Sequence, residues 1–351
     1  MDAEIVWAKL ADAGWVRGEM PAAGEPPAPW YLRAMIGVAA WIAAAFVLSS
    51  VGALVYRVFD SAVLSIIAGS ILCAIAATMM HRSREGLFLR QFGLAIAIAG
   101  ESLLALGLYT AVGLHRSLGW LAITIVQVVL VVVIRDRTHR VIAAFFATGA
   151  AFLGALEFGA PALLPPIAAV AFAATALAAD RSSAQHALLQ SASTGIALAL
   201  LLFAPVAIIL DDTGHRTTPA LLANARWLQP MLLAAAFAGV AAVLLQRMRI
   251  DDKRIVVAAA LAIIALIAVT WPVQGLLAAL IVIVVAFAMG RPALTGMGLV
   301  TAAAMLGYYY FSLQATLMAK SLSLMAAGVV LLVAGWALSR VASPADGGRH
   351  A

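Results

Sequence analysis

Charge is scarce in this sequence. Lysine, arginine, aspartate and glutamate together make up 11% of its 351 residues, against 65% apolar; soluble domains run nearer a quarter charged and half apolar. No stretch between the apolar runs is long enough to make a soluble domain, so an ordinary soluble enzyme is excluded. Cysteine is almost missing. Cys73 stands alone inside an apolar run, and no intrachain disulfide framework is possible. The opening MDAEIVWAKLADAGWVRGEM is acidic and has no apolar h-region, so the first span, not a cleaved leader, is expected to direct insertion.

Catalytic motifs are absent too. There is no phosphate-binding glycine loop, no GxSxG and no Ser/His/Asp set on a common side of a membrane. The six histidines (His81, His115, His139, His186, His215 and His350) fall in turns, at the edges of apolar runs or in the tail, and no pair has metal-ligand spacing on one helix. The expectation is a protein that is not an enzyme and holds neither metal nor cofactor. Asp211, Asp212, His215 and Arg216 of DDTGHR form the one polar cluster that a lipid-directed enzyme would use, and DD-x-x-H is ordinary composition for a turn.

What the sequence has is long hydrophobic runs, with a mean hydropathy of +1.05. About 20 apolar residues cross about 30 Å of hydrocarbon. Segments of that kind fall at 34–56, 61–80, 91–111, 117–134, 141–157, 161–179, 187–210, 228–246, 255–270, 272–289, 293–311 and 321–339. PALLPP interrupts the run over 141–179 and WPVQG the run over 255–289; length favours two spans in each. With twelve spans, seventeen lysines and arginines share one side with both termini and five lie on the other, the bias expected when the first side is cytoplasmic. The net charge of +6 is therefore spread over short turns and forms no nucleic-acid-binding face. The sequence predicts an all-α polytopic integral membrane protein of about twelve transmembrane helices, both termini cytoplasmic. Residues 1–29 make a cytoplasmic tail with a short amphipathic helix and the Pro-rich linker PAAGEPPAPW, residues 30–340 the membrane domain, and 341–351 a second tail. Trp30 and Tyr31 beside Arg33 suit an interfacial anchor. RDRTHRVIAAFF and RIDDKRIVVAAA look alike only as any basic turn leading into an apolar helix does, so no repeat is assigned.

Glu101 stands out. Of sixteen acidic residues it alone lies in the middle of a span, GLAIAIAGESLLALGLYTAV. A charged residue there costs about 2.5–3.5 kcal/mol on insertion scales and usually faces the bundle interior or a wet cavity. Gly93, Ala97, Gly100 and Gly107 form a small-residue stripe that lets helices approach closely, and Glu101 lies on its edge, pointing at protein. A carboxyl kept from water favours its neutral form, which suits a proton relay or coupling site. It equally suits structural glue hydrogen-bonded to Gln127, mid-span in the next helix. A second constellation is GYYYFSLQATLMAKSLSLMAAG. Tyr308, Tyr309 and Tyr310 end the eleventh span and Lys320 opens the last on the side where cations are few. They read either as an aromatic belt with a snorkelling lysine or as a gate at the outer end. The hydroxyls of QSASTG, from Gln190 to Gly195, usually bond back to their own helix.

The C-terminal YYY, with the ATLMAKSLSLMAAGVVLL that follows, and PWYLR leading into GVAAWIAAAFVLSSVG resemble the end and the opening of a bacterial multi-spanning family catalogued as domain of unknown function 4401. Tyr308, Tyr309, Tyr310, Lys320 and Ser321 match its pattern, and the likeness runs from residue 29 onward. The resemblance implies a bacterial inner-membrane protein without an assigned activity. It also implies a complex with a small membrane-associated partner protein bearing a GDYxxLxY motif; membrane lipid is the other expected contact. Two functional expectations follow: a proton-coupled secondary transporter or permease using Glu101, or a non-transporting membrane partner in an envelope complex or assembly.

Overall fold

A computed structural model describes residues 3–14, 16, 29–54, 61–82, 87–112, 116–212, 227–247, 253–270 and 274–312, with a few isolated positions between 318 and 332. Among the described residues every regular element is helical. In chain order they are α1 (Ala3–Asp12), α2 (Trp30–Leu54), α3 (Ala62–Arg82), α4 (Leu87–Ala111), α5 (Arg116–Val133), α6 (Arg137–Glu157), α7 (Leu164–Ala179), α8 (His186–Asp212), α9 (Leu228–Arg247), α10 (Lys253–Thr270), α11 (Gln274–Ala288) and α12 (Pro292–Ser312). Eleven of the twelve apolar segments read from the sequence coincide with α2 to α12. The twelfth, 321–339, lies mostly outside the described residues.

Among the described residues, five stretches are long and apolar enough to cross a membrane: Ala62–His81, Phe88–Ala111, Arg137–Glu157, His186–Val206 and Leu228–Arg247. Five shorter apolar stretches lie in α2, α5, α7, α10 and α11. The PALLPP interruption is a helix break: a 3-10 turn at Pro161–Leu163 follows α6, and α7 then starts with prolines in its first turn, where a missing N–H is harmless. In the WPVQG region α10 ends at Thr270 and α11 opens at Gln274.

The outer surfaces are apolar as well as the inner ones. Leu118, Leu121, Ile125, Val129 and Val132 recur at helical spacing along α5, and all are exposed. The opposite face of the same helix buries Ile123, Gln127 and Val131. An apolar stripe of that size facing outward requires lipid or another protein to cover it.

Two kinds of packing hold the helices. α3 lies along α4 in backbone contact: a Cβ added at Gly69 would come within 2.7 Å of Gly100's carbonyl oxygen, so only glycine permits this approach. In the second half α11 is apolar on every side, the pattern of a helix enclosed by others. Its Leu277, Ile281, Val282 and Val285 are wholly buried in a cluster with Phe172 of α7, Leu200 of α8 and Leu233 of α9. The halves are joined by α6 against α8. There Gly195 fits so closely that a Cβ would meet Val141's carbonyl oxygen and lie 2.7 Å from Ala144 Cβ.

Candidate functional site

Three buried acidic or basic side chains are present among the described residues, Glu101, His139 and Arg140, and all lie where α4, α5 and α6 meet. The local sequence explains each position. Gly100 turns its face to α3, and the next residue on a helix points about 100° away; Glu101 is thereby directed off the α3 contact and is 3% exposed. Opposite it, RDRTHR builds the start of α6. Asp136 Oδ1 accepts the backbone N–H groups of Thr138 (2.9 Å) and His139 (3.0 Å), an N-cap that satisfies two otherwise orphaned donors. Its second oxygen, Oδ2, accepts Arg90 Nε–H from α4 at 2.6 Å, so one carboxylate ties the first turn of α6 to α4. Arg140 Nε–H reaches the carbonyls of Val131 and Ile134, both at 3.1 Å, closing the C-terminal end of α5.

His139 sits between these two anchors, fully buried. Its Nε2 lies 2.5 Å from Glu101 Oε1. Removing either member would leave the other buried and unpaired, which typically costs 3–5 kcal/mol. The pair is not saturated: Glu101 Oε2 and His139 Nδ1 are both buried without a hydrogen-bond partner among the described residues. Cys73 of α3 closes the neighbouring side of α4, its Sγ 4.0 Å from Ala97's carbonyl oxygen.

The residues singled out in the sequence divide. Gln127 is buried in α5, 4% exposed, but Glu101's partner is His139, and the Gln127 Oε1 has no partner among the described residues. Tyr308, Tyr309 and Tyr310 lie in the last turns of α12, half-buried. Tyr308 and Tyr309 pack against the large apolar cluster, and Tyr310 meets Phe311 edge-on at 5.5 Å. Lys320 lies outside the described residues, as do His215 and Arg216 of the DDTGHR loop.

His139, read from the sequence as one of six histidines in turns, at span edges or in the tail, is the residue of this pair that sequence reading did not single out. The span was read as starting at 141, whereas α6 begins at Arg137. Asp136 was the available signal: an aspartate just ahead of an apolar run caps a helix, and with that cap His139 belongs to the first turn of α6.

The profile of the family described as domain of unknown function (DUF4401) matches residues 29–341. No curated protein matches the chain. No solved structure matches it.

Proposed function

Because the chain belongs to the DUF4401 family, whose description carries no activity, we propose its function from its own buried chemistry: it is a multi-pass protein of the bacterial inner membrane, acting as a proton-coupled secondary transporter or permease with Glu101 and His139 as the proton-exchanging pair. The observation that carries this reading is the pair itself, 2.5 Å apart and buried, with one polar atom on each side that has no partner among the described residues. With a single proton shared between Nε2 and Oε1 the pair has a net charge of −1. A second proton taken on the Nδ1 lone pair makes imidazolium and carboxylate, net zero, so one proton neutralises a charge held away from water.

Intramembrane ionisable residues of this kind mark ion pathways and proton relays. Neutralisation also changes the strength of the tie between α4 and α6, which is how a bound proton would bias one arrangement of the bundle over another. Catalysis has no part in this reading, and neither does a cofactor. The lipid-facing stripe on α5 suits a membrane setting, and the arginine-rich turns suit a cytoplasmic end.

The test is carbodiimide labelling of the purified full-length protein across pH, read by mass spectrometry, with Glu101→Gln as the blank. Labelling of Glu101 that titrates with pH, with a midpoint moved by His139→Gln, supports proton exchange at the pair. If Glu101 stays inert throughout while exposed acids label, the proposal fails. The pair would then be a sealed structural tie, and the protein a non-transporting membrane partner of other envelope proteins.

A further inference from the structure

Two side-chain contacts bridge α4 and α6, one deeper than the other. α5 packs on both helices, while α4 and α6 meet each other chiefly through side chains. The outer contact joins Arg90 of α4 to Asp136, 2.6 Å apart, with Arg90 46% exposed. The inner one joins Glu101 of α4 to His139. Asp136 Oδ1 also accepts His139's own backbone N–H at 3.0 Å, so the two contacts stand one helical turn apart on α6. Glu101 lies eleven residues beyond Arg90 on α4, yet its carboxyl meets α6 in that first turn.

The pair is therefore close to one end of α6 and far from the other. His139 is three residues from the Asp136 cap and eighteen from Glu157, which is about 5 Å of rise against about 27 Å. The surroundings differ by direction as well. Toward Glu157 the side chains that α6 buries are apolar: Ala143, Ala144, Ala147, Ala150 and Phe152. Hydroxyls on that stretch bond to their own helices, Thr148 to Ala144's carbonyl oxygen and Thr124 of α5 to Trp120's. Gln127 of α5 adds a buried neutral amide. Toward the cap the groups are charged. Arg90, Asp136 and Arg140 lie there, with Arg135 and Arg137 exposed beside them. Cys73 of α3 is the other titratable neighbour of Glu101. A charge passes through apolar packing only at high cost and along charged, wetted groups at little.

We infer that the Glu101–His139 pair exchanges its proton with water at the Arg90–Asp136 end, and that this ion pair is the gate over it. The inference rests on the reading of the pair as a proton-exchanging site and adds the side from which the proton comes. Parting Arg90 from Asp136 admits water to the first turn of α6, where His139 Nδ1 has no partner among the described residues. An ion pair with one partner half in water is weak and screened by salt, so it parts readily; the buried inner pair does not.

The full-length protein, held in one orientation in vesicles of phosphatidylethanolamine and phosphatidylglycerol, is given a pH difference across the membrane. A lipid-permeant carbodiimide labels protonated carboxyls, so each acid's labelling follows the pH of the side that supplies its proton. Two exposed acids mark the faces: Asp180 in the α7–α8 turn, on the Asp136 side, and Glu157 at the far end of α6. Mass spectrometry should find Glu101 following Asp180's side. Asp136→Asn, which keeps the helix cap but loses the charge that holds Arg90, should speed Glu101 labelling about three- to fivefold, the worth of an exposed ion pair. Arg90→Gln should do the same, and alone carries the gate test if Asp136→Asn fails to fold. Added salt should speed the parent and leave both variants unmoved. Arg137→Gln, at an exposed arginine of the same turn, should label as the parent does. Labelling that follows Glu157's side overturns the inference while proton exchange stands. Rates that neither gate variant changes, or that Arg137→Gln raises equally, overturn the gate. Glu101 inert under every gradient while Asp180 and Glu157 label removes the proton-exchange reading and this inference together.

Discussion

Gly69 against Gly100 brings the backbones of α3 and α4 together with almost no side chain between them, whereas α11 meets its neighbours through Leu277, Ile281, Val282 and Val285. The same physics allows both. Lipid tails are as apolar as leucine, so helices in a bilayer associate through packing and polar contacts. Close backbone approach achieves that in the first half and interdigitated branched chains achieve it in the second. The difference extends to polar groups. Glu101, His139 and Arg140, the buried acidic and basic residues among those described, all belong to the first half and α6; the buried polar residues described in the second half, Ser191, Ser193, Gln229 and Thr270, carry no charge. Where glycine contacts supply the packing, the remaining faces of α4 are free to carry a polar tie.

The contrast can be broken most forcefully at the tie. His139→Ala leaves the Glu101 carboxyl buried and unpaired, and should destabilise the protein by about 3–5 kcal/mol, seen as a large fall in unfolding temperature in detergent. Adding Glu101→Leu to that variant should recover much of the loss, since an apolar pair replaces a half-removed polar one. An additive double variant would show that the two residues do not act together.

Next in size, Leu277→Ala empties the wholly buried centre of the second half and should cost about 3 kcal/mol. Thermal unfolding of this variant tests whether α11 anchors that half. Gly100→Ala asks the opposite of the first half. A Cβ there would lie 2.9 Å from Cys73 Sγ and 3.0 Å from Cys73 N, so adding one methyl should cost about 2 kcal/mol by overpacking. If Gly100→Ala proves neutral, the distinction between the halves collapses. The matching change in the second half, Gly239→Ala in α9, meets open space and should be neutral or slightly stabilising through helix propensity.

The smallest effect belongs to Arg90→Gln. Arg90 is 46% exposed and Asp136 9%, so the lost pair should cost under about 1 kcal/mol, and raising the salt concentration should shrink the gap to the parent. An effect as large as that of His139→Ala would mean that the capping carboxylate, more than the buried pair, holds α6 on α4.

Most of the helix inventory was legible because each element advertises itself locally. Runs of about 20 apolar residues, prolines at 161, 165 and 166, and the arginine-rich turns mark starts and stops without reference to the rest of the chain. The glycine stripe of α4 was legible for the same reason, since Gly93, Gly100 and Gly107 share one face by spacing alone. Glu101 drew notice through its cost in an apolar run, a property of one residue and its neighbours. Its partner did not, because Gln127 and His139 are equally plausible from sequence until the depth of α6 against α4 is known. Thirty-eight residues separate Glu101 from His139, and what brings them together is the Asp136 cap, the Arg90 contact and the close seating of α6 on α8 at Gly195. Composition and periodicity determined that this chain makes apolar helices of membrane-spanning character. Which polar atoms meet between them was decided only by tertiary packing, because a hydrogen bond depends on position to within a few tenths of an ångström and no periodicity carries that.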